Sequence, residues 1–132
     1  MSLHFSSVAT KASEGISALD DLMRASNSND PVIRYWAMTG IGNIGKNAGE
    51  VAKKISIDAM KDDSPSVRIA AARAVAKFGE IDSALGLLKN ELKSPHQWGR
   101  LATAIVIDEM GEDARPLVDD LKKVLKIRQP NK

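Results

Sequence analysis

Apolar residues recur along this chain at steps of three and four, and the same phase returns three times. Counted from an arginine, positions −1, +3, +7 and +10 hold Ile33, Ala37, Ile41 and Ile44 around Arg34, and Val67, Ala71, Val75 and Phe78 around Arg68. Around Arg100 they hold Gly99, Thr103, Ile107 and Met110, the same stripe with its first member lost. This period lays apolar side chains along one face of an α-helix. Eleven residues after each arginine stands a glycine (Gly45, Gly79, Gly111), where a left-handed terminal residue ends the helix. A second ladder follows each glycine at steps of four: Val51, Ile55, Ala59, then Ala84, Leu88, Leu92, then Leu117, Leu121, Leu125. The unit is therefore helix, tight turn, helix, and arginine spacings of 34 and 32 residues fit it. One such pair cannot bury its apolar faces alone, so recurrence predicts stacked pairs.

Helix starts agree with this register. Asp30-Pro31, Ser64-Pro65 and Ser94-Pro95 each offer a side-chain oxygen for an orphan backbone N–H and a proline at the first helical position. The third unit has two extra residues between proline and arginine, which predicts an irregular first turn. Ahead of the repeats, Phe5, Val8, Ala12, Ile16, Leu19 and Leu22 or Met23 predict one helix over residues 4–24, weakened at Gly15, then a polar linker to Asn29. The expected organisation is an N-terminal helix and linker over 1–29 and three repeats over 30–132 (30–63, 64–93 and 94–127), all in one structural domain. The tail from Ile127 to Lys132 either frays or begins another repeat. Met1–Leu3 fits either a native start or a cloning remnant.

Composition supports closely stacked helices. Aromatic residues make up 4% of the chain while alanine, the best helix former, is abundant. A net charge of +2 with acids and bases interspersed gives no single-signed patch for nucleic acid; Lys53, Lys54 and Lys61, for example, alternate with Asp58, Asp62 and Asp63. Without cysteine there is no disulfide, thiolate ligand or thiol nucleophile. No apolar run has the length to cross a bilayer, and the first ten residues lack a signal-peptide pattern.

The units resemble HEAT repeats of the short form D/S-P-x-V-R-x-x-A-A-x-A-L-x-x-x-G, a resemblance carried by Ser64, Pro65, Val67, Arg68, Ala71, Ala72, Ala74, Val75 and Gly79 and extending over residues 30–126. It implies an all-α fold, a right-handed α-solenoid (α-α superhelix) of HEAT-like helical hairpins, whose second helices line a concave face for protein contact. A narrower likeness rests on Arg34-Tyr35-Trp36, on Ser94, Trp98, Arg100 and Leu101, and on Gly111, Ala114, Arg115 and Pro116. These are similar to the HEAT-like extension C-terminal to the catalytic domain of some bacterial sulfatases. Gly99 and Ile105 to Ile107 depart from the repeat pattern and put the third unit's packing in question.

Candidate chemistry does not survive inspection of spacing. A sulfatase nucleophile needs C/S-x-P-x-R, whereas Ser64-Pro65-Ser66-Val67-Arg68 has its proline one place after the serine. His4 and His96 lack a partner at i+4, so neither suggests a metal site or a general base. The pairs Asp20-Asp21, Asp62-Asp63 and Asp119-Asp120 point about 100° apart on a helix and form no convergent dyad. Gly40, Gly42 and Gly45 have GxGxxG spacing but no preceding strand. No catalytic, cofactor-binding or metal residue is assigned. Arg34, Arg68 and Arg100 read as structural positions that pair with an acid such as Asp30, Asp62 or Asp63, or cap carbonyls; the rival reading is a phosphate or sulfate ladder. Trp36 stands where the other units have Ala70 and Ala102, and reads as core, with a partner interface as the alternative; Trp98 is the other interface candidate.

The expectation is a non-catalytic accessory or interaction domain, the C-terminal segment of a sulfatase, packed on the parent's catalytic domain or another protein. The alternative is an independent scaffold or adaptor that binds a protein partner. No nucleic-acid or membrane partner and no cofactor is expected, and the oligomeric state stays open. The compartment is periplasmic or extracellular only if the parent is an exported sulfatase.

Overall fold

The computed structural model describes residues 5–128, with side chains described for residues 7–12 and 15–124. His4, Met1–Leu3, the side chains of Phe5 and Leu125 and the tail beyond Arg128 lie outside the described residues. Eight α-helices follow in order: α1 (Phe5–Glu14), α2 (Leu19–Ala25), α3 (Pro31–Ile44), α4 (Gly49–Ala59), α5 (Pro65–Lys77), α6 (Ile81–Glu91), α7 (Gln97–Met110) and α8 (Val118–Arg128). Short 3₁₀ turns at Gly15–Ala18, Gly45–Ala48 and Gly111–Leu117 join the members of three pairs. The described residues are all helix and connecting turns, with no strand.

First helices stack in chain order: α1 on α3, α3 on α5, α5 on α7. Second helices flank them, with α2 on α3, α4 on α5 and α6 on both α5 and α7. The arginine-phased stripe forms the core between the layers. Ala37, Ile41, Ala71, Val75 and Thr103 are fully buried, and Val67, Phe78 and Ile107 nearly so. Two main clusters result, one joining Leu22, Met38 and Ile41 to Ala71 and Ala74, the other joining Val75 and Leu88 to Ile107 and Leu117. Close approach of helices needs small residues between them. A Cβ on Gly40 would sit 2.7 Å and 2.8 Å from the Leu22 methyls and 3.0 Å from the Ala12 Cα.

Several details differ from the pattern-based expectation, each for a local reason. The single helix expected over residues 4–24 is broken into α1 and α2, because Gly15 adopts φ +76° and a 3₁₀ turn follows it. Gly15 thus does for the first pair what Gly45, Gly79 and Gly111 (φ +72°, +97° and +60°) do for the others, and Ile16, expected in the stripe, is exposed on that turn. On α4 the ladder holds in part: Ile55 and Ala59 pack half-buried against the core, but Val51 is exposed, and Ala52 and Ser56, one position on, are fully buried. The turn through Gly45–Ala48 and a second positive φ at Gly49 rotate α4 relative to a direct continuation. Ser56 tolerates this site because its hydroxyl donates to Ala52 O at 2.9 Å.

Helix starts also diverge. Asp30 caps α3, its Oδ1 accepting from Val32 N at 2.9 Å. Ser64 precedes Pro65 at the start of α5 but makes no cap bond; instead its own N–H donates to Asp62 Oδ1 at 2.9 Å. Ser94-Pro95 does not open α7, which begins at Gln97. The two extra residues form a turn held by His96 N–H donating to Ser94 Oγ at 3.1 Å, and this turn folds against Gly99, where a Cβ would lie 3.1 Å from Ser94 Oγ. The missing first member of the third stripe therefore makes room for the longer entry.

Candidate functional site

The three arginines perform one backbone task. Arg34 donates to Ser28 O at 2.9 Å, Arg68 to Asp62 O at 2.9 Å and Arg100 to Ser94 O at 2.6 Å, in each case to the carbonyl six residues upstream. Each ties its helix to the turn that delivers the chain into it, satisfying a carbonyl the preceding helix cannot use. Their acid partners differ. Arg34 forms a fork with Asp62 (2.8 and 3.0 Å) on the turn after α4, whereas Arg68 reaches Glu91 on α6 at 3.3 Å through both nitrogens. The Arg34 guanidinium holds the Asp62 carboxyl below its ordinary value, against the opposing effect of burial. With Arg34 and Arg68 engaged this way, the arginines face turns and second helices and do not line up as an anion site.

A second polar chain crosses the first-helix layer. Asn43 Nδ2 donates to Ala12 O at 3.2 Å, and Asn43 Oδ1 accepts from Arg73 at 2.8 Å. Arg73 in turn grips Glu109 through Nε at 2.6 Å and Nη2 at 3.3 Å. One chain of hydrogen bonds thus links α1, α3, α5 and α7. Arg73 holds the Glu109 carboxyl below its ordinary value, so this acid stays ionised and paired across the neutral range.

This chain borders a groove of about 710 Å³ across α3, α5 and α7. Ala70 and Ala102 line it at the position where α3 carries Trp36, so two of three equivalent sites lack the bulk that would fill them. Val32, Tyr35 and Trp36 stand on one side, and Trp98 and Ile105 on the other. Tyr35 and Trp36 meet edge to face at 5.3 Å, and Trp98 stacks on His96 at 6.1 Å, which holds both aromatic walls in place. Apolar walls with a self-neutralised ion pair at one edge suit an apolar ligand surface and offer no free charge to a polar one.

Trp36 is half-buried, and belongs to the groove wall as well as to the small cluster with Val8 and Ala37. Trp98 is exposed on the opposite wall. The fold thus brings together two tryptophans 62 positions apart in the chain. The groove lies on first helices, whereas the expected contact face lies on second helices; no residue of α4 or α6 lines it. Arg73, Glu109 and Asn43 gave no sign in the sequence, because no residue type recurs there: Asn43 and Glu109 share the position nine after the arginine, where the middle unit has Lys77, and Arg73 matches Thr39 and Ile105. The signal that was present is the pair of alanines opposite one tryptophan.

No characterised protein matches the chain. The HEAT repeats profile matches residues 19–108, from α2 through most of α7. That span covers the first two stripes whole, the third as far as Ile107, and the groove lining except Glu109. The chain belongs to the HEAT repeats family.

Proposed function

We propose that this chain is a protein-interaction scaffold, a right-handed solenoid of HEAT hairpins, and that its docking surface is the apolar groove across α3, α5 and α7. The occupant is a protein segment that presents bulky apolar side chains, since the groove is aromatic-walled, alanine-floored and carries no unpaired charge. The observation behind this reading is the alanine-for-tryptophan exchange at Ala70 and Ala102, which leaves a hollow beside Trp36.

The test is selection from a random-peptide display library, with binding followed through Trp36 and Trp98, the chain's only tryptophans. Peptides with bulky apolar residues are expected to shift that emission. Their affinity should fall at least about tenfold in Ala102→Trp, where an indole fills the hollow. Peptides that bind α4 and α6 and ignore Ala102→Trp would refute the assignment.

A finer reading concerns the partner. The chain is the non-catalytic C-terminal segment of a sulfatase, and the groove holds a segment of the parent's catalytic domain. In support, three of the residues that carry the sulfatase-extension likeness, Tyr35, Trp36 and Trp98, are the three aromatic side chains of the groove walls. This reading places the protein in the periplasm or outside the cell if the parent is exported. It predicts an intact C/S-x-P-x-R upstream in the parent reading frame; a frame without that motif would leave the independent scaffold as the function.

A further inference from the structure

The groove is built from matched helix faces. α5 supplies Ser66, Ile69, Ala70 and Arg73, spaced i, i+3, i+4 and i+7, and α3 supplies the same four positions from Val32 to Thr39. Arg73, in the second half of α5, reaches Asn43 near the end of α3 and Glu109 near the end of α7, so the three helices run in one direction. The hollow therefore follows the axis of α5. From Ser66 to Arg73, at about 1.5 Å per residue, it is about 10 Å long, or about two helical turns.

Such walls restrict the backbone of an occupant. They are helices, whose N–H and C=O groups are spent within the helix, and among the described residues there is no sheet edge to extend. Polar side chains along the hollow are also engaged: the Thr39 hydroxyl donates to Tyr35 O at 3.0 Å, and Arg73 and Glu109 hold each other. An extended segment laid here would bury peptide groups with nothing to pair them. A helix pairs its own and presents an apolar stripe with the period of the walls.

We propose that the groove receives an amphipathic α-helix of a partner protein, lying along α5 and antiparallel to it; this rests on the groove being the docking surface. Ala70 lets the visiting helix approach closely, and its bulky apolar residues at i, i+4 and i+7 fill the space between Trp36 and Trp98. Charge complementarity sets the direction. Because α3, α5 and α7 run the same way, their dipoles add, and α7 leaves both of its partial charges unopposed, with no side-chain cap, no acid in its first turn and no base in its last. An antiparallel occupant lays its negative C-terminal end beside the positive start of α7 and its positive end beside the negative finish, whereas a parallel one sets like against like.

The test takes displayed random peptides of about 16 residues, long enough to hold a helix, selected on the full chain and sorted by their response to Ala102→Trp. Those that lose at least about tenfold in affinity to that variant occupy the groove. They are expected to space bulky apolar residues i, i+4 and i+7, to gain helical circular dichroism on binding, and to weaken at least about tenfold when a central residue is replaced by proline. Because the chain has no cysteine, Ser66→Cys marks the end of the groove at the start of α5. On mild oxidation it should form a disulfide with a cysteine at the C-terminus of such a peptide and not with one at its N-terminus. Groove-bound peptides that stay extended, tolerate proline or cross-link through their N-termini would overturn the proposal and leave the groove assignment standing. A library in which no peptide responds to Ala102→Trp would overturn both.

Discussion

Removing the Arg34 side chain tests most directly how the hairpins are tied together. In Arg34→Ala the Asp62 carboxylate, whose side chain is only 13% exposed, loses a two-pronged guanidinium partner and keeps one bond from Ser64 N. Ser28 O loses its donor as well. Hydrogen bonds to charged groups contribute about 1.5–3 kcal/mol, and losing one member of a well-buried ion pair costs about 3–5 kcal/mol. This pair retains some solvent, so the expected loss is about 2.5 kcal/mol. An unfolding entropy of about 2.1 cal/mol/K per residue makes each kcal/mol worth about 3.6 °C in a chain of 132 residues, hence a drop in Tm of about 9 °C. Arg100→Ala removes one carbonyl bond and, among the described residues, no acid contact, so about 1 kcal/mol is expected there.

The pH dependence adds an independent check. Asp62 is held below its ordinary 3.8 in the folded protein, so the unfolded chain takes up the proton first as pH falls. The stabilisation is therefore complete above that ordinary value and is lost as pH falls through the depressed folded one. Calorimetric melts of wild type, Arg34→Ala, Asp62→Asn and the double variant at several pH values measure both effects. A coupling energy below about 0.5 kcal/mol, or a wild-type-to-Arg34→Ala difference that stays constant from neutral to strongly acid pH, would refute the reasoning.

Two glycines on helices should respond in opposite directions. Gly40→Ala drives a Cβ into Leu22 and the Ala12 backbone, for a loss of about 2 kcal/mol by chemical denaturation. Gly86→Ala, at an exposed position of α6 with open space around it, should gain about 0.5–1 kcal/mol. Leu88→Ala, at a fully buried site between α6 and α5, should cost about 3 kcal/mol in the same assay.

The sequence by itself determined the periodic features. The arginine-phased stripe, the turn glycines and the D/S-P starts each depend on residues a few positions apart, so helical geometry alone places them on common faces. Val67, Ala71, Val75 and Phe78 are buried together because a helix repeats every 3.6 residues, whatever lies opposite. Local rules erred where a turn rotates one element against another, as at Val51 and Ile16, since no pattern within α4 or α1 records that rotation. Tertiary structure alone decided which positions meet across helices. Trp36 and Trp98 face one hollow because α5 between them presents Ala70, and Arg73 bridges Asn43 and Glu109 because α3, α5 and α7 stack at close range. Those contacts join residues 30 or more positions apart, and it is the distance between packed helices, not the order of residues, that makes them.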